Sequence, residues 1–160
     1  MNFIESVFEH LEYSDGKLYW KKSTSNRVNV GSEAGSYQTG GYMAVKLLGK
    51  RIPVHKIVYL LHHGYIPEIV DHIDGNRSNN KIENLRICTK AENNINTSIR
   101  RHNTSGIKNV SWHKQTGKWR VIVRHKGKPN SFGLYADIEL AELVAIEARN
   151  KLHGKFASHR

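Results

Sequence analysis

Asp71 and His72 stand side by side at the end of an apolar run, in the string VDHIDGN, and Asn84 and Asn93 follow downstream. A histidine can take up a proton near neutral pH. A carboxylate and side-chain amides offer oxygens to a hard cation. The same letters also have an architectural use, because Asp and Asn bond their own backbone and Asp-Gly after a strand ordinarily marks a reversal of the chain. The downstream residues separate the two uses. The segment IENLRIC is strand-like and can pair back onto EIVDHI, leaving a loop over residues 74–83. Thr89 followed three residues later by Glu92 is the signature of a capping box, so TKAEN opens a helix. The local order is strand, loop, strand, helix. Neighbouring strand residues point to opposite sides, so Asp71 and His72 are presented to different sides of their strand.

This order, carrying these polar residues, resembles the HNH endonuclease family, whose ββα-metal module has an acid-histidine pair on its first strand, a central Asn and a third polar residue on the helix. The third position here is Asn93 in AENN rather than His, which resembles the subgroup of homing and phage endonucleases. GKLYW, GYMAVKLLGKRIPVHKIVYLLHHG and IPEIVDHIDGNRSNN resemble the N-terminal extension of such phage proteins, so the likeness covers about residues 11–97. It implies phosphodiester hydrolysis, which needs a base for water, a cation against the charge building on phosphate and leaving oxygen, and their in-line placement. His72 is then the general base and Asp71 and Asn93 are the metal ligands. Asn84, within ENLR, orients the loop and His72. An oxygen-only pair suits Mg²⁺ or Mn²⁺ better than zinc. Asp74 reads as a turn residue with Gly75, and Glu92 as the partner in the capping box. His55 is placed where it could touch DNA, but on the first turn of a helix it reads rather as a packed or surface residue. Arg77, Lys81 and Arg86 are candidate phosphate contacts beside the site.

Charge is unevenly distributed. Residues 1–99 carry 12 Lys/Arg against 10 Asp/Glu, whereas residues 100–160 carry 13 against 4. A surplus gathered in the last third fits a segment that meets a polyanion, since Lys and Arg neutralise phosphates and release their counterions. The single cysteine, Cys88, excludes an internal disulfide and a thiolate zinc cluster, and the 10 histidines lack the spacing of a structural zinc site. No apolar run approaches membrane-spanning length, and MNFIESVFEH lacks the basic-then-apolar order of a signal peptide. The expected protein is soluble, cytoplasmic and not secreted.

The elements that must position these residues are legible in outline. Phe3, Val7, Phe8 and Leu11 fall at near-helical spacing, and Asp15-Gly16 sits between strand-like runs as a tight hairpin turn. GYMAVKLLGKRIPV alternates and reverses at Gly49-Lys50. VHKIVYLLHHG places Val54, Ile57, Val58 and Leu61 on one helical face, closed by Gly64. The polar stretch TSIRRHNTSG marks a boundary. Beyond it IKNVSWH, KWRVIVRH and NSFGLY read as three strands with turns at Thr116-Gly117 and Gly127-Lys128. A helix follows, with Asp137 as N-cap, apolar Leu140, Ala141, Val144, Ala145, Ala148 and Leu152, and Gly154 as its stop.

SGIKNVSW, GKW, the Phe132-Gly133 pair before Tyr135, and LHGKFA resemble the plant ethylene-response-factor type of DNA-binding domain over about residues 104–157. That likeness implies a three-stranded sheet lying in the major groove. Alternation sets the faces. Trp119, Val121 and Val123 turn toward the helix with Val110 and Trp112, leaving Lys118, Arg120, Ile122 and Arg124 outward with Asn109, Ser111 and His113. Ser111, His113 and Ser131 stand where plant members tend to carry Arg, so the plant recognition site does not carry over. The expected DNA contacts are Arg77, Arg86, Arg100, Arg101, Lys108, Asn109, Ser111, His113, Lys118, Arg120 and Arg124.

The sequence thus reads as an α+β protein. Residues 1–97 form an HNH nuclease module with a β-rich N-terminal extension, 98–106 a linker, and 107–160 a three-stranded antiparallel sheet packed on one helix. The expected activity is metal-dependent nicking or cutting of double-stranded DNA by a homing-type or free-standing phage enzyme. It acts as a monomer with no obligatory protein partner and no membrane. A DNA-binding regulator that has lost catalysis would share the charge asymmetry. An RNA nuclease would share it too, but side chains cannot read the deep major groove of RNA.

Overall fold

The computed structural model describes every residue except Met1, Ser98, Arg100 and Arg160. The chain divides into two compact units, Met1–Cys88 and Thr89–Arg160.

In the first unit α1 (Phe3–His10) opens with a capping box in which Asn2 and Glu5 bond each other's backbone N–H. It leads into the hairpin of β1 (Leu11–Ser14) and β2 (Lys17–Trp20), whose turn residues Asp15 and Gly16 both have positive φ. β3 (Ser36–Tyr37), β4 (Met43–Leu47) and β5 (Lys50–Pro53) form an antiparallel sheet in that order. The β4–β5 turn is Leu48-Gly49, one residue before the expected Gly49-Lys50. Both residues lie at positive φ with Gly second, which is the twist a two-residue hairpin demands. α2 (Val54–His63) follows and ends at Gly64, whose φ of 79° lets the chain turn left-handed. Val54, Ile57, Val58 and Leu60 bury against Val7, Leu11, Leu18, Trp20, Val45 and Leu47, and the same core receives Val70 and Leu85. These last two belong to β6 (Val70–His72) and β7 (Leu85–Ile87), antiparallel with Asp71 opposite Arg86 and His72 opposite Leu85.

The second unit begins with α3 (Lys90–Ile95), capped by the reciprocal Thr89–Glu92 box. As a packing division, the break at Cys88 precedes the sequence boundary at Thr97. Lys108 explains why, since its ammonium bonds the carbonyls of Ile95 and Thr97 and so ties α3 to the chain entering the second sheet. β8 (Val110–His113), β9 (Lys118–His125) and β10 (Lys128–Tyr135) form that sheet, antiparallel with β9 in the middle, and α4 (Ile138–His153) lies across it. The β9–β10 turn is Lys126-Gly127, again a positive-φ pair and again one residue earlier than expected. Asp137 caps α4 by accepting from the N–H groups of Glu139 and Leu140 at 2.6 and 3.0 Å.

Small side chains let this helix approach the sheet. Ala141 and Ala145 are buried against Val110 and Val121 and Ala148 is buried as well, while Leu140, expected on that face, is exposed. Trp112 is a second correction: it is 45% exposed rather than core. It pairs with Trp119 at the end of the sheet, just before the Thr116-Gly117 turn, and packs only edge-on to that ring at 4.9 Å. No helix among the described residues is long and apolar enough to cross a membrane.

Candidate active site

The β6–β7 register places Asp71 directly across from Arg86. Arg86 donates from Nε and Nη2 to Asp71 Oδ2 at 3.0 and 2.8 Å, and both side chains are largely buried. Arg86 was expected to contact DNA, but in this structure its guanidinium is committed to the carboxylate opposite it. A carboxylate has about four acceptor sites, so an arginine on one oxygen is compatible with cation binding by the same group. Holding a metal ligand in orientation is a common second role for such a partner.

His72 is buried on the neighbouring strand position, and its Nε2 lies 3.1 Å from the amide oxygen of Asn80. An amide oxygen only accepts, so this bond assigns the ring proton to Nε2. Burial lowers the pKa of His72, against the opposing effects of the Asn80 bond and the charges of Asp74 and Asp71. The imidazole is therefore neutral at neutral pH, the form that can accept a proton. Asn80 itself is fully buried. Sequence reasoning passed over it because it stands in an NRSNNK string where every residue reads as loop.

Asn84 laces the loop. Its Oδ1 accepts from the backbone N–H of Asp74 at 3.0 Å, and its Nδ2 donates to Asp74 Oδ1 and to the carbonyl of Asn79 at 2.9 and 2.8 Å. Its carbonyl accepts from Ile73 N–H at 2.8 Å. Asp74 also accepts from Asn76 N–H and from the Asn79 amide at 2.8 and 2.7 Å, the turn role expected of it. Burial alone would raise the Asp74 carboxyl, but these donors outweigh it and hold the pKa below the usual range.

Arg77 reaches over this loop to the β3–β4 connection. It donates to the carbonyl of Gly40 at 2.7 Å, and its guanidinium lies 4.8 Å from the ring centroid of Tyr42. Tyr42 in turn neighbours two imidazoles, His72 at 6.1 Å and His55 at 5.5 Å between centroids. His55 and His72 meet edge to face at 5.0 Å. His55 is thus part of the site's wall, which its place on α2 did not announce. Asp71, His72, Asn84, Arg77 and Arg86 gather around β6 and β7, and Lys81 is exposed in an ion pair with Asp15. Asn93 lies exposed on α3, in the second unit.

Among the described residues no group of three or more His, Cys, Asp or Glu side chains could hold a metal ion. The Asp71 carboxylate is an oxygen donor of the kind a hard divalent cation takes.

In the second unit Lys118 and Arg124 are exposed on β9, and Arg120 between them is half-buried, its Nε enclosed without a partner among the described residues. Ser111 is exposed opposite Arg120, and His113 shares a bond with Thr116 at 2.9 Å. Arg101 is exposed, and Arg100 lies outside the described residues. Two expected contacts have internal work instead. Lys108 is engaged with the carbonyls of Ile95 and Thr97, and Asn109, at a φ of 69°, donates its amide to the carbonyl of Ile122 at 3.1 Å. Arg149, 1% exposed, draws the same corner together by donating to the carbonyl of Lys108. Ser111, Ile122 and Arg124 also line a cleft of about 710 Å³ whose other wall includes Ile95, His102 and Asn103.

The profile of the HNH endonuclease family matches residues 53–95, from the start of α2 through α3. Protein 3.8 of Escherichia phage T7 is 39% identical over 110 residues, which is 66% of this chain and 88% of that protein. An uncharacterized HNH endonuclease, L560, of Acanthamoeba polyphaga mimivirus is 39% identical over 121 residues, 74% of this chain and 62% of that protein. No solved structure matches this chain.

Proposed function

We propose that this chain, whose residues 53–95 match the HNH endonuclease family, a family of DNA-cleaving hydrolases, hydrolyses phosphodiester bonds of duplex DNA with a divalent ion, Mg²⁺ or Mn²⁺. The observation that carries this reading is the β6–β7 pair, which presents Asp71 and His72 from adjacent positions while Asn84 laces the loop between the strands.

His72 takes the proton from the attacking water. Its burial keeps it neutral for that task, and Asn80 fixes its ring. Asp71 would hold the divalent ion, with Arg86 orienting its carboxylate, and Asn93 is the second ligand that the family resemblance implies. When bound, that ion offsets the charge that builds on the phosphate and the departing 3′-oxygen. Arg77, braced on Tyr42 and Gly40, meets a neighbouring phosphate. The sheet of the second unit supplies most of the affinity as an ethylene-response-factor-like module. Lys118, Arg120 and Arg124 face the backbone, with Ser111, His113 and Arg101 at the margins. The protein works as a monomer in the cytoplasm of an infected or host cell, with one active site that nicks one strand per event, in a homing-type or free-standing phage role.

Cleavage mapping on phage and host genomic DNA with wild-type and His72→Ala protein tests this. The wild type should cut in Mg²⁺ or Mn²⁺, and the variant should lose on the order of 10²–10⁴ in rate while still shifting DNA on a gel. A wild type that shifts the same DNA but leaves it intact under every divalent metal is instead an inactive regulator.

A further inference from the structure

His55 sits on the first turn of α2, beside Val54 and close to Ile57 and Val58, positions filled by apolar side chains of the core. It is 6% exposed, and its Nδ1 is enclosed with no hydrogen-bond partner. A buried polar group left unpaired is destabilising. A phenyl ring would fill the same space without that cost, so packing does not explain an imidazole here. Unpaired buried groups of this kind call for an explanation, and a catalytic role is one of the recognised ones. The ring's surroundings supply it, since its edge meets His72 at 5.0 Å and Tyr42 stands at 5.5 Å with Arg77 stacked beyond.

The ring's protonation has the same geometric origin. Nδ1 is enclosed without an acceptor whereas Nε2 is not enclosed, so the single proton of the neutral ring belongs on Nε2. Burial, with His72 and Lys56 nearby, pushes the pKa of His55 down to about 3, so the ring is neutral at any working pH. Among the described residues nothing accepts from that Nε2–H. A neutral donor therefore stands next to the proposed base with no protein group to serve.

We propose that His55 is a second active-site histidine, donating a hydrogen bond from Nε2 to a non-bridging oxygen of the phosphate under attack. It transfers no proton and forms no covalent bond. It helps the phosphate as charge accumulates there and adds no second cation beside His72. The inference rests on the reading of the chain as a nuclease.

The test uses the full-length chain and the duplex that the wild type is found to cut. Removing a single such donor costs on the order of 10²-fold in kcat. His55→Phe should show that loss with KM and gel-shift affinity unchanged, and its thermal midpoint should equal or exceed the wild type's because the unpaired nitrogen is gone. His55→Gln, which restores a donor, should recover most of the rate. Full activity in His55→Phe overturns the inference, as does a Gln variant no faster than the Phe variant at equal stability. If His55→Phe unfolds, the ring is structural and the inference also falls. If the wild type cuts nothing, the nuclease reading fails first and takes this inference with it.

Discussion

The pairing of Asp71 with Arg86 distinguishes two roles for one arginine. A surface arginine that only meets phosphate can be removed with little effect on folding, whereas one half of a largely buried ion pair cannot, because its partner is left charged without compensation. Arg86→Ala should therefore destabilise the protein by about 3 kcal/mol, read from urea denaturation, and lower the rate by disordering Asp71. A variant of unaltered stability but weaker DNA binding would return Arg86 to the phosphate role. Asn80 is a finer case. Its amide oxygen holds the His72 ring from 3.1 Å, and outer partners of this kind are commonly worth about 10–100-fold in function. Asn80→Ala should slow cleavage by that order with gel-shift affinity unchanged.

What was legible at the level of elements was whatever has a local cause. The Asp15-Gly16 turn, the capping box at Thr89 and Glu92, the Gly64 stop and the return of IENLRIC onto EIVDHI each depend on residues within one or two turns or strands of each other. His55 was not legible, because its contacts with His72 and Tyr42 arise only when α2, β6 and the β3–β4 connection pack together. Asn80 hid in a polar loop, and Trp112, whose parity matches that of Val110, stands 45% exposed near the end of the sheet. The displaced turns have one cause: in each, a residue other than Gly accepts positive φ so that Gly can take the second place. A positive φ also marks β10, where the register shifts between Ser131 and Gly133. Gly133 has a φ of 118°, and a Cβ there would lie 2.9 Å from the Tyr135 hydroxyl. Gly133→Ala should cost about 1–2 kcal/mol in the second unit, visible as a lower thermal midpoint. A variant as stable as wild type would mean that the bulge relaxes freely.

At the scale of the whole molecule, the placing and the withholding of charge each have a measurable consequence. Charge is withheld from His55, kept neutral to about pH 3 chiefly by burial with His72 and Lys56 nearby, and from His72, whose pKa is also lowered by burial. In the unfolded chain both rings take up protons near pH 6.5. The unfolded state then binds more protons than the folded one, so stability is fully present above pH 6.5 and is lost as the pH falls from there toward the folded values. The slope for His55 approaches about 1.4 kcal/mol per pH unit, and urea titrations at pH 7.5, 6 and 5 should show it reduced in His55→Phe. Charge is placed in the last third, where residues 100–160 carry 13 Lys/Arg against 4 Asp/Glu. If Lys118, Arg120 and Arg124 each neutralise a phosphate, replacing all three with Gln should lower the slope of log affinity against log salt by about 2–3, since each contact contributes about 0.9. Phosphate contacts carry no sequence information, so the cut positions should not move even as binding weakens. An unchanged salt slope would place the DNA on another face of the second unit, whereas a changed cut position with an unchanged slope would make these three side chains readers of bases.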